Sequence, residues 1–242
     1  MKIKHKTPVY YDLETTGFSG FEDKLVSAII LDDVKFRSLG RWKEEDLLIK
    51  VMEILGNLSC AEILVSYNGE NWRGGFDIPF LRSQCIKHNV EWTLAGIEHL
   101  DLLPIVKKRI NTHHYSTELP SKSKLYKDDL VKLAKANDLE YTNKNDTYDE
   151  LIDLGDNCDW LDYIKEECKE KNGLQTIYQL IFDQEAKEEY LSGGEVPEFY
   201  EAGNYDKIIE HNERDVIRLK KVTEAIINTI PSYELDKAIT VL

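Results

Sequence analysis

The chain has 242 residues, 42% hydrophobic and 31% charged, with a formal net charge of −14. That length can bury one sizeable α/β core. No apolar run approaches the roughly 18 residues that a bilayer-spanning helix needs, which excludes a helical membrane protein as the expectation. The opening IKHKTPVYYDLE is too polar for a secretory signal core, so a cytoplasmic protein is expected. The four cysteines (Cys60, Cys85, Cys158 and Cys168) form no CxxC pair, which argues for reduced thiols over a zinc site or a disulfide framework. The charge is uneven: residues 140–215 carry 22 acids against 7 bases, while the rest of the chain is near neutral. An acidic segment argues against a general phosphate-binding surface. It is a candidate surface for a protein partner, and an acidic active site can still reach phosphates through bound cations.

In chain order, Val9 to Glu14 reads as a strand and Leu25 to Asp32 as a near-continuous apolar strand. Val34 to Trp42 reads as its hairpin partner, with Asp32-Asp33 near the turn. Glu44 to Leu58 places Leu47, Leu48, Val51, Ile54, Leu55 and Leu58 at helical spacing. Ile63 to Tyr67 is another buried strand, Ile78 to His88 a helix, and His99 to Leu103 a strand or a strand entering a helix. The second half is mainly helical: Asp128 to Asn137, Asp146 to Leu154 behind the cap-rich Asn143-Lys144-Asn145, Asp159 to Lys171, Leu174 to Tyr190, and Tyr205 to Ile230 before Pro231. No repeat or flexible linker interrupts the order, so one domain over residues 1–242 is expected.

Asp12 and Glu14 stand two residues apart in the first strand, and such positions share a face. Two buried carboxylates side by side are costly without a positive partner. Asp77 follows the loop Asn68 to Phe76 at the end of a buried strand, where α/β proteins often place ligand contacts; capping the next helix is an equal alternative. Asp215 lies in the long helix with His211 four residues before it, on one face, though a solvated acid is the common fate there.

The stretch Asp12-Leu13-Glu14-Thr15-Thr16-Gly17 resembles the first motif of the DEDD 3′–5′ exonucleases, a superfamily with an RNase H-like fold. Asn68-Gly69 with Phe76-Asp77-Ile78-Pro79-Phe80-Leu81 is similar to the second motif, and Asn212-Glu213-Arg214-Asp215-Val216 to the third. By wording, the chain looks most like stand-alone relatives of the family B DNA polymerase proofreading domain. The resemblance implies a mixed five-stranded sheet flanked by helices, with a helix-rich C-terminal half. There are two departures. Seven residues separate Asn68 from Phe76, an insertion that holds Trp72 and Arg73. His211 occupies the spacing at which the family places tyrosine.

The resemblance also implies chemistry. Two Mg²⁺ or Mn²⁺ ions would be held by Asp12, Glu14 and Asp215, with Asp77 close by, and hard cations do favour carboxylate oxygens. His211 is the candidate to orient or deprotonate the attacking water, since histidine exchanges protons near neutral pH. The substrate would be nucleic acid with a free 3′ end, taken as single-stranded DNA, with nucleoside monophosphate as product. Leu13, Thr15 and Thr16 would flank the terminal nucleotide, Asn68 and Phe76 would contact substrate, and Trp72 and Arg73 would stack on a base and touch a phosphate. Rival readings are an exoribonuclease, a structure-selective endonuclease and a non-catalytic nucleic-acid-binding module. The adjacent His113-His114 reads as a loop, and Asp101 as either a further acid or a cap. Lys122, Lys124 and Lys127 form a small basic run.

Overall fold

A computed structural model describes residues 3–32, 35–40, 43–69, 75–110, 113–114, 125–154, 169–170, 173–182 and 193–242. Trp72, Arg73, Lys122, Lys124, Cys158, Cys168 and most of the expected helix from Asp159 lie outside the described residues. The strands are β1 (Thr7–Thr15), β2 (Leu25–Leu31), β3 (Phe36–Gly40), β4 (Glu62–Ser66), β5 (Glu98–Asp101), β6 (His113–His114), β7 (Lys169–Glu170) and β8 (Ile239–Val241). The helices are α1 (Glu44–Gly56), α2 (Asp77–His88), α3 (Leu102–Arg109), α4 (Lys127–Ala136), α5 (Lys144–Asp153), α6 (Leu174–Phe182), α7 (Val196–Glu201), α8 (Tyr205–Thr229) and α9 (Ser232–Ala238). The chain divides into two compact units, residues 1–111 with 172–242 and residues 112–171.

The first unit is built on a mixed sheet in the order β3-β2-β1-β4-β5-β8. β1, β4 and β5 run parallel, and β2, β3 and β8 are antiparallel to their neighbours. Strand alternation sorts β1 between two cores. Val9, Tyr11 and Leu13 pack with Leu47, Val51 and Leu55 of α1 and Ile78 and Leu81 of α2. Tyr10 points the other way, into a core with Ile63, Val65, Val216, Leu219 and Val222. Helices on both faces explain why the central strands read as near-continuous apolar runs. Each fully buried Leu, Ile or Val there contributes about 1.5–3 kcal/mol.

All five expected strands are present, and the sheet has a sixth. β8 pairs antiparallel with β5, Glu98 opposite Val241 and Leu100 opposite Ile239. Three residues carry too little periodicity to announce a strand; the open edge of β5 selects them. The strand from His99 does enter a helix, with Asp101 as its cap.

The second unit pairs α4 with α5 over a small core of Leu125, Leu130, Leu133 and Leu151. Asn143 caps α5, its side chain accepting from the Asn145 and Asp146 amides. Two expectations are corrected here. His113-His114 is not a loop but a strand, paired with Lys169-Glu170. Lys169 and Glu170 are accordingly not helical, because ladder pairing outweighs a weak local helical preference. Among the described residues, no helix is long and apolar enough to cross a membrane.

Candidate metal centre

The parity that turns Tyr10 toward α8 turns Asp12 and Glu14 the same way. Glu14 is 7% exposed and Asp12 half-buried. On α8 the buried stripe runs Ile208, His211, Val216, Leu219, Val222, Ile226. Its first turns therefore put His211 against β1, with Asp215 one turn further along the same face. His211 Nε2 lies 3.5 Å from Glu14 Oε1 and 3.8 Å from Asp215 Oδ2. Glu14, His211 and Asp215 each offer a donor atom, and the three lie within 4.8 Å of one another. Arg218, one turn beyond, binds Asp215 Oδ1 at 2.8 Å and fixes the orientation of that carboxylate.

Asp77 opens α2 and is 4% exposed. It is not the helix cap: Phe76 holds that position, and among the described residues no side chain caps the helix. Asp77 Oδ2 is buried and has no hydrogen-bond partner among the described residues. The helix N-terminus favours a carboxylate there, yet burial, followed by the charge of Asp101, pushes the Asp77 carboxyl well above the usual range. Burial also raises Asp12, with Asp77, Glu14 and Asp215 adding to the shift. Burial, then Asp215 and Asp77, push Glu14 up to about 8. Burial and the charge of neighbouring acids thus push three carboxyls, Asp12, Glu14 and Asp77, above their usual range, the electrostatics of a site lacking its counter-charge.

That set fits hard divalent cations, which take carboxylate oxygens and tolerate a histidine nitrogen. The orphaned Asp77 oxygen and the shared field of Asp12, Glu14 and Asp215 are the features such an ion would satisfy. Each acid singled out from the sequence lies in this region of mutual repulsion, and His211 lies among them.

The remaining candidates distribute around it. Leu13 is 5% exposed in the α1–α2 core, so its backbone rather than its side chain borders the site. Thr15 Oγ1 donates to the Gly17 carbonyl at 2.7 Å, and Thr16 Oγ1 accepts from the Lys24 amide at 2.9 Å, closing the β1–β2 turn. Gln84 of α2 donates to the Gly20 and Asp23 carbonyls and ties that turn down. Asn68 takes a positive φ of 67° after β4. Phe76 stacks edge-on with Phe18 at 5.7 Å and packs on Phe80 at 5.3 Å.

Two residues escaped the sequence reading. Phe18 is 91% exposed, directly after the Asp12–Gly17 motif, on the ring that borders Asp77. A large apolar side chain in the polar turn GFSGFED was the available signal. Arg218 stands three residues after Asp215, a spacing at which helical side chains meet.

Residues 9–127, a little under half of the chain, match the family described as RNase_H superfamily. No curated protein matches the chain. Among solved structures, the EXO domain of Aedes aegypti Nibbler is 12% identical, with a TM-score of 0.30 over 80% of this chain and 85% of its own. A structure described as the apo form of the nuclease is also 12% identical, with a TM-score of 0.30 over 94% of this chain and 89% of its own. The mixed sheet, its flanking helices, the helix-rich C-terminal half and the matched region together make the fold α/β and RNase H-like.

Proposed function

We propose that this chain is a metal-dependent 3′–5′ exonuclease that releases nucleoside monophosphates from single-stranded DNA. The observation that carries the reading is the convergence of Glu14, His211 and Asp215 donor atoms within 4.8 Å, with the half-buried Asp12 on the same strand as Glu14 and the buried Asp77 in the same acidic field. The residues would divide the work. Asp12, Glu14 and Asp215 would hold two Mg²⁺ or Mn²⁺ ions, with Asp77 completing the acidic wall. Bound divalent cations supply charge against the developing negative charge on the phosphate and acidify the attacking water. His211, on the wall between Glu14 and Asp215, orients that water and accepts its proton. Arg218 keeps Asp215 in one rotamer. Phe18 and Phe76 offer aromatic faces to the terminal base, Thr15 and Thr16 border the sugar, and Asn68 contacts the backbone. Stacking of this kind contributes about 1–3 kcal/mol per base and tolerates any sequence.

The resemblance to DEDD exonucleases supports the direction of attack, and the RNase_H superfamily match supports a nuclease. The test uses single-stranded DNA and RNA labelled at either end, with and without Mg²⁺ or Mn²⁺. Stepwise shortening of 5′-labelled DNA from its 3′ end, only with metal and lost in Asp12→Ala, is expected. Internal cuts would replace the reading with an endonuclease, faster RNA decay with an exoribonuclease, and metal-dependent binding without cleavage with a binding module.

A further inference from the structure

The loop before Asp77 is closed at its neck by two backbone hydrogen bonds. The Phe76 amide donates to the Asn68 carbonyl at 2.7 Å and the Ile78 amide to the Gly69 carbonyl at 3.0 Å. These two bonds bracket Asp77 and join Asn68 and Gly69 directly to the start of α2. Gly69 is needed for the close approach: a Cβ there would lie 1.8 Å from Ser66 Oγ and 3.1 Å from His99 Nε2. Beneath it, Ser66 Oγ and His99 Nε2 are hydrogen-bonded at 2.8 Å in the core.

The Asp101 side chain ties this neck to the sheet. Ser66 and Asp101 are opposite each other at the ends of the parallel pair β4 and β5. From there the Asp101 Oδ1 accepts from the Asn68 amide at 2.8 Å and from the Leu103 amide at 3.1 Å. Asp101 is 5% exposed, and the Asn68 it holds has the left-handed backbone that asparagine adopts more readily than most non-glycine residues.

We propose that Asp101 is a positioning residue for Asp77, acting through Asn68 and the loop neck. This rests on the metal-centre reading of Asp77 given above. Asp101 does more than cap α3: it sets where Asn68 stands, Asn68 sets Phe76, and Phe76 delivers Asp77 to the acidic cluster. Supporting residues of this kind commonly matter because small displacements at a metal or reacting atom are expensive.

Three substitutions separate the roles. Asp101→Asn keeps an oxygen able to accept both amides. Asp101→Ser keeps a good helix cap but is shorter by one bond and loses the reach to Asn68. Asp101→Ala loses both. Hydrogen exchange on the metal-free full-length protein reads the neck directly. The Phe76 and Ile78 amides are expected to exchange about tenfold faster or more in the Ser and Ala variants and as in wild type in the Asn variant. Mn²⁺ affinity, read by calorimetry, and kcat are expected to fall about 10–100-fold in the same two variants, with KM nearly unchanged. Wild-type protection and affinity in Asp101→Ser would reduce Asp101 to a helix cap. An Asp101→Asn variant as impaired as Asp101→Ala would assign the effect to charge. Either result overturns the proposal. Where Asp101→Ala does not fold, the Asn and Ser variants decide alone. A wild-type protein that cuts no nucleic acid would overturn the nuclease reading and leave the exchange comparison standing.

Discussion

Replacing Asp77 with asparagine is expected to raise the melting temperature of the metal-free protein while abolishing nuclease activity. Burial and the nearby Asp101 push the Asp77 carboxyl well above its ordinary range, and its Oδ2 has no hydrogen-bond partner among the described residues. The group is therefore destabilising near neutral pH, where the unfolded chain would release its proton freely. A carboxyl raised on folding contributes stability that is full below its unfolded pKa and lost as pH rises through its folded one. Glu14 follows the same rule, with a window from 4.5 to about 8, and Asp12 shifts in the same direction. The metal-free wild type is thus expected to melt lower as pH rises from about 5 to 9, and divalent cations to cancel that decline. Asparagine removes one contributor. A higher melting temperature near neutral pH is the expected result, by about 2–4 °C for each kcal/mol of stability recovered, together with a loss of turnover of about a thousandfold. A melting temperature that falls in Asp77→Asn would mean that Asp77 holds the fold together.

The second large effect concerns His211. Its Nε2 faces Glu14 and Asp215 at 3.5 and 3.8 Å, within reach of a water beside either acid. His211→Ala is expected to cut kcat by about two orders of magnitude, the usual worth of a positioned acid–base group. Mn²⁺ binding should change little, because the carboxylates carry the charge. His211→Tyr, which restores the residue type found at this spacing in the DEDD motif, should recover part of the rate. An unchanged rate in His211→Ala removes the residue from the mechanism. A rate loss matched by loss of Mn²⁺ affinity makes it a ligand instead.

Much of this site was legible because strand and helix periods dictate which residues share a face. Asp12 and Glu14 had to lie together once β1 was a strand. His211 and Asp215 had to lie together once α8 was a helix, at positions continuing the stripe of Leu219, Val222 and Ile226. What joins α8 to β1 is the packing of Val216 and Leu219 near Tyr10, which no local pattern announces. Other features depend on backbone bonds between distant segments. The loop neck at Asn68 and Phe76, the β8 pairing with β5 and the His113-His114 ladder are all of this kind. The Arg218 contact and the exposed Phe18 were visible as residues, but their meaning required knowing what stood beside them.

Calorimetric titration of Mn²⁺ into the metal-free, full-length protein near neutral pH tests the central claim most directly. Saturable binding is expected in the wild type, weakened about tenfold or more in Asp12→Asn and Asp77→Asn, since each removes a carboxylate from the cluster. Folded wild-type protein that binds neither Mn²⁺ nor Mg²⁺ would contradict the assignment of Asp12, Glu14, Asp77 and Asp215 as a metal centre.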